Sequence, residues 1–125
     1  MGKHLHILTV DDEFSVAHAL AFALSNADRR LTLAFNADEA LAKIAEHPEP
    51  FDVVIVDHKM PGVSGIELVQ RLRAGNFGGK IIVLSAHLTH ENRHAYKELK
   101  VDTMLTKPFE VHELREVVDS LAKVA

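Results

Sequence analysis

Cysteine is absent from the 125-residue sequence, which excludes a disulfide framework and thiolate chemistry. No apolar run is long enough to cross a membrane, and the first residues lack the apolar core of a signal peptide. Basic residues are not in excess, because the formal net charge is −4 and the isoelectric point is near 6.1. This balance argues against nucleic-acid binding through bulk charge. We therefore expect a cytoplasmic protein with no membrane partner and no direct nucleic-acid partner.

Hydrophobic residues make up 47% of the sequence, a fraction typical of folded domains. The length suffices for one domain with a sizeable core, and no repeat, linker or low-complexity segment divides it. We predict a single domain over residues 1–125.

Short apolar runs alternate along the chain with segments of helical periodicity. Predicted strands cover residues 4–10, 30–35, 51–57, 80–85 and 101–106. Predicted helices cover residues 14–26, 64–74, 89–99 and 110–123, with a further helix that starts at residue 37 and stops before Pro48. Asn36 with Glu39, and Ser64 with Glu67, resemble capping boxes at two of the helix starts.

This strand–helix alternation indicates an α/β fold with a doubly wound parallel sheet of five strands and five helices. The run from Val53 to Val56 is apolar on both faces, which is typical of a central strand covered on both sides. Right-handed crossovers would place the carboxyl ends of all strands at one edge, where such sheets bind ligands.

Polar residues follow several of these predicted strands: Asp11, Asp12, Asp57, Ser85 and Lys107. Two carboxylates 4 Å apart repel by about 4 kcal/mol at an effective dielectric of 20, so a cluster of three favours a hard cation such as Mg²⁺. With a cation present, a carboxylate can act as a nucleophile toward phosphorus and form an aspartyl-phosphate. An amine and a hydroxyl are suitable groups to hold the phosphoryl oxygens.

In this order and spacing, the residues resemble the receiver domain of bacterial response regulators, the phospho-acceptor of two-component signalling and of chemotaxis-type regulators. The matching segments are Asp11-Asp12, Val56-Asp57, Met60-Pro61-Gly62-Val63-Ser64-Gly65, Leu84-Ser85-Ala86 and Lys107-Pro108-Phe109. The resemblance covers the whole chain and implies a flavodoxin-like sheet of strand order 2-1-3-4-5.

The resemblance implies that Asp57 accepts a phosphoryl group from a phosphohistidine on a sensor histidine kinase or a phosphotransfer protein of a phosphorelay. It also implies that Asp12, Asp57 and the backbone carbonyl of Lys59 bind Mg²⁺ directly, and that Asp11 acts through water. The protein would then be a signalling switch that catalyses its own phosphorylation and dephosphorylation, rather than a metabolic enzyme.

The resemblance further assigns the phosphoryl oxygens to the Ser85 hydroxyl, the Ala86 amide and the Lys107 ammonium. It implies a cis peptide bond between Lys107 and Pro108. Lys59 and His87 would flank the phosphoryl group and tune its hydrolysis, and we expect slow self-dephosphorylation.

The output surface implied by the resemblance comprises helix four, strand five and helix five, which could also form a homodimer interface. The family often has Tyr or Phe three residues before the lysine as a switch coupled to the hydroxyl, whereas this chain has Met104. We therefore expect Ser85 to keep its switch role and the rearrangement to be smaller. The chain ends soon after helix five. We therefore expect the output to come either from an effector domain in a longer protein or from a separate output protein.

Three other interpretations compete with this one. The segment from His90 to His94 matches H-E-x-x-H, a zinc-protease signature, but its flanks are polar and we favour a solvated helix face. A domain that serves only as a scaffold, without phosphorylation, would not need the three aspartates, nor Ser85 or Lys107, all of which this chain carries. A flavin or dinucleotide binder would carry a glycine-rich loop after the first strand, where this chain carries acids.

Overall fold

The structure is a computed structural model, and it describes residues 4–47, 49–60 and 64–123. Five strands alternate with five helices along the chain. The strands are β1 (Leu5–Val10), β2 (Arg29–Ala34), β3 (Val53–Asp57), β4 (Lys80–Ser85) and β5 (Thr103–Thr106). The helices are α1 (Phe14–Leu24), α2 (Ala37–Glu46), α3 (Gly65–Ala74), α4 (His90–Glu98) and α5 (Val111–Lys123).

All strands pair in parallel in the order β2-β1-β3-β4-β5, which confirms the predicted doubly wound sheet. β3 is the central strand, and each of its residues is buried. Because successive side chains of a strand point to opposite faces, β3 contributes to two cores. Val54 and Val56 pack with residues of α2, α3 and α4, whereas Val53 and Ile55 pack with residues of α1 and α5.

Two aspartates set strand boundaries that differ from the predicted ones. β3 begins at Val53 rather than at residue 51, and the Asp52 carboxylate accepts a hydrogen bond of 2.9 Å from the backbone N–H of His6. β5 begins at Thr103 rather than at residue 101, and the Asp102 carboxylate accepts one of 2.8 Å from the backbone N–H of Ile81. In both places a carboxylate accepts a hydrogen bond from a backbone N–H near the amino end of a neighbouring strand.

The predicted helix caps are present. The side chain of Asn36 accepts a bond from the Glu39 N–H at 2.7 Å, and that of Ser64 accepts one from the Glu67 N–H at 3.3 Å. α1 ends at Leu24 rather than at residue 26, and the Asn26 side chain instead accepts from the backbone N–H groups of Asp28 and of Arg29, the first residue of β2.

Pro48, the predicted stop of the second helix, lies outside the described residues, as do residues 61–63 of the motif that follows β3. Among the helices that the structure describes, none is sufficiently long and apolar to cross a membrane.

Candidate phosphoryl-acceptor site

Three carboxylates meet at the carboxyl edge of the sheet, as the sequence predicts. Asp57 is the last residue of β3, and Asp11 and Asp12 follow β1 directly. Oxygen atoms of the three side chains lie within 4.8 Å of one another, and this group could hold a metal ion. Asp11 and Asp57 are buried, whereas Asp12 is exposed, so the cluster opens to solvent on one side.

Lys107 brings a positive charge to this cluster from the loop that follows β5. Its Nζ atom donates a hydrogen bond of 3.0 Å to Oδ1 of Asp57, and the pair is largely shielded from solvent on the Asp57 side. The peptide bond between Lys107 and Pro108 is cis, as the resemblance implied.

Ser85 stands beside this pair because β4 lies between β3 and β5. The Lys107 N–H donates to the Ser85 carbonyl at 2.8 Å, and Asp57 pairs with Leu84 in the β3–β4 register. The buried Ser85 hydroxyl donates to the backbone carbonyl of His87 at 2.9 Å and accepts from the N–H of the same residue at 3.1 Å. Ala86, the next residue, is exposed. Thus the hydroxyl is tied to the loop that leads into α4.

Burial dominates the electrostatics of the cluster. It raises the pKa of Asp57, although the hydrogen bond and charge of Lys107 oppose the shift. Burial also raises the pKa of Asp11, against the hydrogen bond of 2.9 Å that its Oδ1 accepts from the Glu13 N–H. The negative charges of neighbouring carboxylates add to the raised pKa of Asp11 and of Asp57, so the cluster favours binding of a cation.

The residues fit a magnesium ion by a criterion separate from their spacing. Oδ2 of Asp11 is buried and has no hydrogen-bond partner among the described residues. A buried carboxylate oxygen is costly to leave unpaired, and oxygen ligands are those that Mg²⁺ prefers. An ion at this place would satisfy the orphan oxygen and offset the repulsion between the carboxylates.

Asp11→Asn should stabilise the protein in the absence of Mg²⁺. The amide keeps an acceptor for the Glu13 N–H and removes a buried charge, so we expect the free energy of unfolding at neutral pH to rise by about 1–2 kcal/mol. In the wild type the raised pKa of Asp11 penalises the folded state as pH increases from the ordinary value of 3.8 through the raised folded value. Stability should therefore fall with pH across this window, and less steeply in the variant.

Denaturant unfolding at several pH values, with and without Mg²⁺, measures both effects. Added Mg²⁺ should stabilise the wild type more than Asp11→Asn, because the variant has lost a ligand charge. A variant that is less stable than the wild type without Mg²⁺ would show that Asp11 bears no such penalty. Equal stabilisation of both proteins by the ion would show that the Asp11 charge does not contribute to Mg²⁺ binding.

The model of the response regulator receiver domain family matches residues 7–119, which include every member of this site. The chain belongs to the response regulator receiver family. As a receiver domain it is a component of two-component signalling, and an acidic pocket for Mg²⁺ is general in the family.

Relatives and solved structures agree with this assignment. The receiver domain is 30% identical over 112 residues to sporulation initiation phosphotransferase F of Bacillus subtilis, with 90% of this chain and 89% of the relative covered. It is 32% identical to the receiver domain of the Francisella response regulator 1452, with a TM-score of 0.85 and coverage of 96% and 98%. Vibrio cholerae chemotaxis protein CheY4 has a TM-score of 0.85 at 28% identity, with coverage of 94% of this chain and 98% of that one. These neighbours share the predicted flavodoxin-like arrangement.

The receiver domain spans about half the length of several relatives. It is 32% identical to the uncharacterized transcriptional regulatory protein YkoG of Bacillus subtilis over 87% of this chain but only 47% of that protein.

The other candidate residues lie around this edge in different environments. Lys59 and His87, the candidates for rate tuning, are exposed. Met104 pairs with Val83 in the sheet and packs, partly buried, against the core on the α4 face. Among the described residues, the group of three or more metal-ligating side chains is the aspartate cluster, and it includes neither His90 nor His94 of the zinc-like motif.

One pair near the site was not predicted from the sequence. His58 directly follows Asp57, and its Nδ1 lies 2.6 Å from the hydroxyl of Tyr96 on α4. Burial lowers the pKa of His58, with the Asp57 charge acting in opposition, and burial raises the pKa of Tyr96. The signal available in the sequence was a single tyrosine in an otherwise polar helix.

Proposed function

We propose that this receiver domain accepts a phosphoryl group on Asp57 from a phosphohistidine of a sensor histidine kinase or a phosphotransfer protein, in a Mg²⁺-dependent reaction. The observation that carries the proposal is the contact of 3.0 Å between Lys107 Nζ and the buried Asp57 carboxylate, within a cluster of acids. We thus assign the role of nucleophile to Asp57, that of the phosphate-pairing cation to Lys107, and that of the Mg²⁺ site to the acids at the same edge of the sheet.

In the proposed transfer, a carboxylate oxygen of Asp57 attacks phosphorus. The O–P bond forms as the N–P bond of the phosphohistidine breaks, and the imidazole leaves with the electron pair and takes up a proton from solvent. Lys107 then pairs with a phosphoryl oxygen, and the Ser85 hydroxyl exchanges its bond to the His87 carbonyl for a bond to another. The Ala86 amide serves a third oxygen.

Asp11, Asp12, Asp57 and the backbone carbonyl of Lys59 would hold Mg²⁺. When bound, the ion supplies positive charge that offsets the carboxylates and the incoming phosphoryl group. The orphan oxygen of Asp11 and the spacing of the acids support this assignment.

We place the output surface on α4, β5 and α5. The Ser85 hydroxyl holds the backbone of the loop before α4, so its transfer to a phosphoryl oxygen would release that loop. The same face suits a homodimer, since basic Arg93 and Lys97 of α4 could meet exposed acids such as Glu113 and Glu116 of α5 in a second copy. A sensor kinase upstream and an effector domain or output protein downstream complete the proposed pathway.

Incubation of the protein with a small phosphodonor and Mg²⁺ tests the proposal. We expect the intact mass to increase by one phosphoryl group per chain, peptide mapping to place it on Asp57, and removal of Mg²⁺ by a chelator to suppress labelling. A label on another residue, or labelling that is indifferent to the chelator, would contradict the mechanism.

A further inference from the structure

The residue next to the phospho-acceptor is attached to α4 through its side chain. The His58 ring lies edge-on to the Tyr96 ring, with centroids 5.5 Å apart, and its Nδ1 is 2.6 Å from the Tyr96 hydroxyl. Its other nitrogen, Nε2, lies 3.3 Å from the side-chain amide of Asn92, also on α4. A neutral imidazole has one donor and one acceptor nitrogen, so the two contacts together select one tautomer.

The backbone of His58 is fixed by two neighbouring elements. Its N–H donates to the Leu84 carbonyl of β4 at 2.9 Å, and its carbonyl accepts from the Gly65 N–H of α3 at 3.1 Å. A change at Asp57 can therefore reach α4 through the imidazole, whose two partners both lie on that helix.

Tyr96 is the main attachment of α4 to the rest of the domain. Among the residues of this helix, all of which the structure describes, only Tyr96 is buried, and its exposed fraction is 0%. Its hydroxyl occupies a slot that exists because residue 65 has no side chain: a Cβ atom on Gly65 would lie 2.6 Å from that oxygen. The slot brings together the end of β3, the start of α3 and the middle of α4.

Met104 cannot form an equivalent link. A thioether is a weak acceptor and has no donor, whereas a phenol hydroxyl can do both. The hydrogen-bonding aromatic residue on this face is thus supplied by α4 rather than by β5.

We propose that the hydrogen bond between His58 and Tyr96 couples α4 to the phosphorylation state of Asp57. This inference rests on the proposed function, because it requires a phosphoryl group on that residue. Phosphorylation would bias α4 between two arrangements that differ in this contact, and Ser85 would act on the same helix through the preceding loop.

Tyr96→Phe tests the coupling, because it removes the hydroxyl and keeps the ring. Amide hydrogen exchange of α4 is measured in four samples: wild type and variant, each with and without phosphodonor and Mg²⁺. Loss of one buried hydrogen bond should speed α4 exchange roughly five-fold in the absence of phosphodonor. Phosphorylation should also change α4 exchange much less in the variant than in the wild type.

If the hydroxyl were purely structural, Tyr96→Phe would change α4 exchange by the same factor with and without phosphorylation. That result would overturn the coupling. Met104→Leu, a swap of similar volume, is the matched control and should keep the wild-type response. His58→Phe removes the other partner and gives the same test should Tyr96→Phe fail to fold. The double variant that combines His58→Phe with Tyr96→Phe should change the free energy of α4 opening, measured by exchange, by less than the sum of the two single changes.

Intact mass is recorded on the same samples, which separates the two hypotheses. A wild type that takes up no phosphoryl group would refute the proposed function and the coupling together. If the wild type is labelled and phosphorylation changes α4 exchange equally in the wild type and in Tyr96→Phe, the coupling alone is refuted.

Discussion

Asp57→Asn should abolish phosphoryl acceptance. The amide has nearly the shape of the carboxylate and can still accept a hydrogen bond from Lys107, which lies 3.0 Å from Oδ1 in the wild type. It lacks the negative charge that makes the oxygen a nucleophile, and it removes one of the proposed ligand charges for Mg²⁺. We expect no mass increase with the phosphodonor under conditions that label the wild type fully.

Asp38→Asn is the matched control for this experiment, since Asp38 is an exposed acid on α2. It should be labelled as fast as the wild type. Labelling of Asp57→Asn at the wild-type rate would move the acceptor to another residue and end the assignment. Because the variant also loses a buried charge, its unfolding should occur at higher denaturant concentration without Mg²⁺.

Lys107→Met should slow phosphorylation by about 100-fold or more, the range for loss of a preorganised charged donor near a reacting group. Methionine has a similar length and no charge, so the substitution isolates the ammonium. Its loss removes the cation that opposes the raised pKa of Asp57, so that pKa should rise further and the cluster loses its balancing positive charge. The time course of labelling by intact mass gives the rate.

Lys97→Met serves as the control, because Lys97 is an exposed lysine on α4. It should label like the wild type. If Lys107→Met were labelled at a rate close to that of the control, the proposed contact with the phosphoryl group would be wrong. Mg²⁺ titration of both variants then shows whether the ammonium acts on the ion or on the phosphoryl group.

The sheet was predictable because burial on both faces imposes an apolar run, and such runs are visible in one dimension. β4 lies at residues 80–85, as predicted, where the run from Ile81 to Leu84 is uninterrupted. Boundaries that depend on a long-range side chain were not predictable. Asp52 and Asp102 look like ordinary members of a strand until their carboxylates meet N–H groups of other strands.

The acid cluster was predictable for a related reason: parallel strands end at one edge, so polar residues after several strands converge. The contact between His58 and Tyr96 was not, because the residues are 38 positions apart and the helix carrying Tyr96 is polar in composition. Nothing in a polar stretch marks one aromatic ring as the buried one. Gly65 gave an equally weak signal, since its missing side chain matters only once α4 is in place.

The buried phenol on α4 also makes the domain its own spectroscopic reporter. Tyr96 is the single tyrosine of the chain, and tryptophan is absent. Fluorescence excited in the tyrosine band therefore arises from one ring, located between the helix and the residue after Asp57. Changes in quenching at that ring can be followed in real time, without an introduced dye.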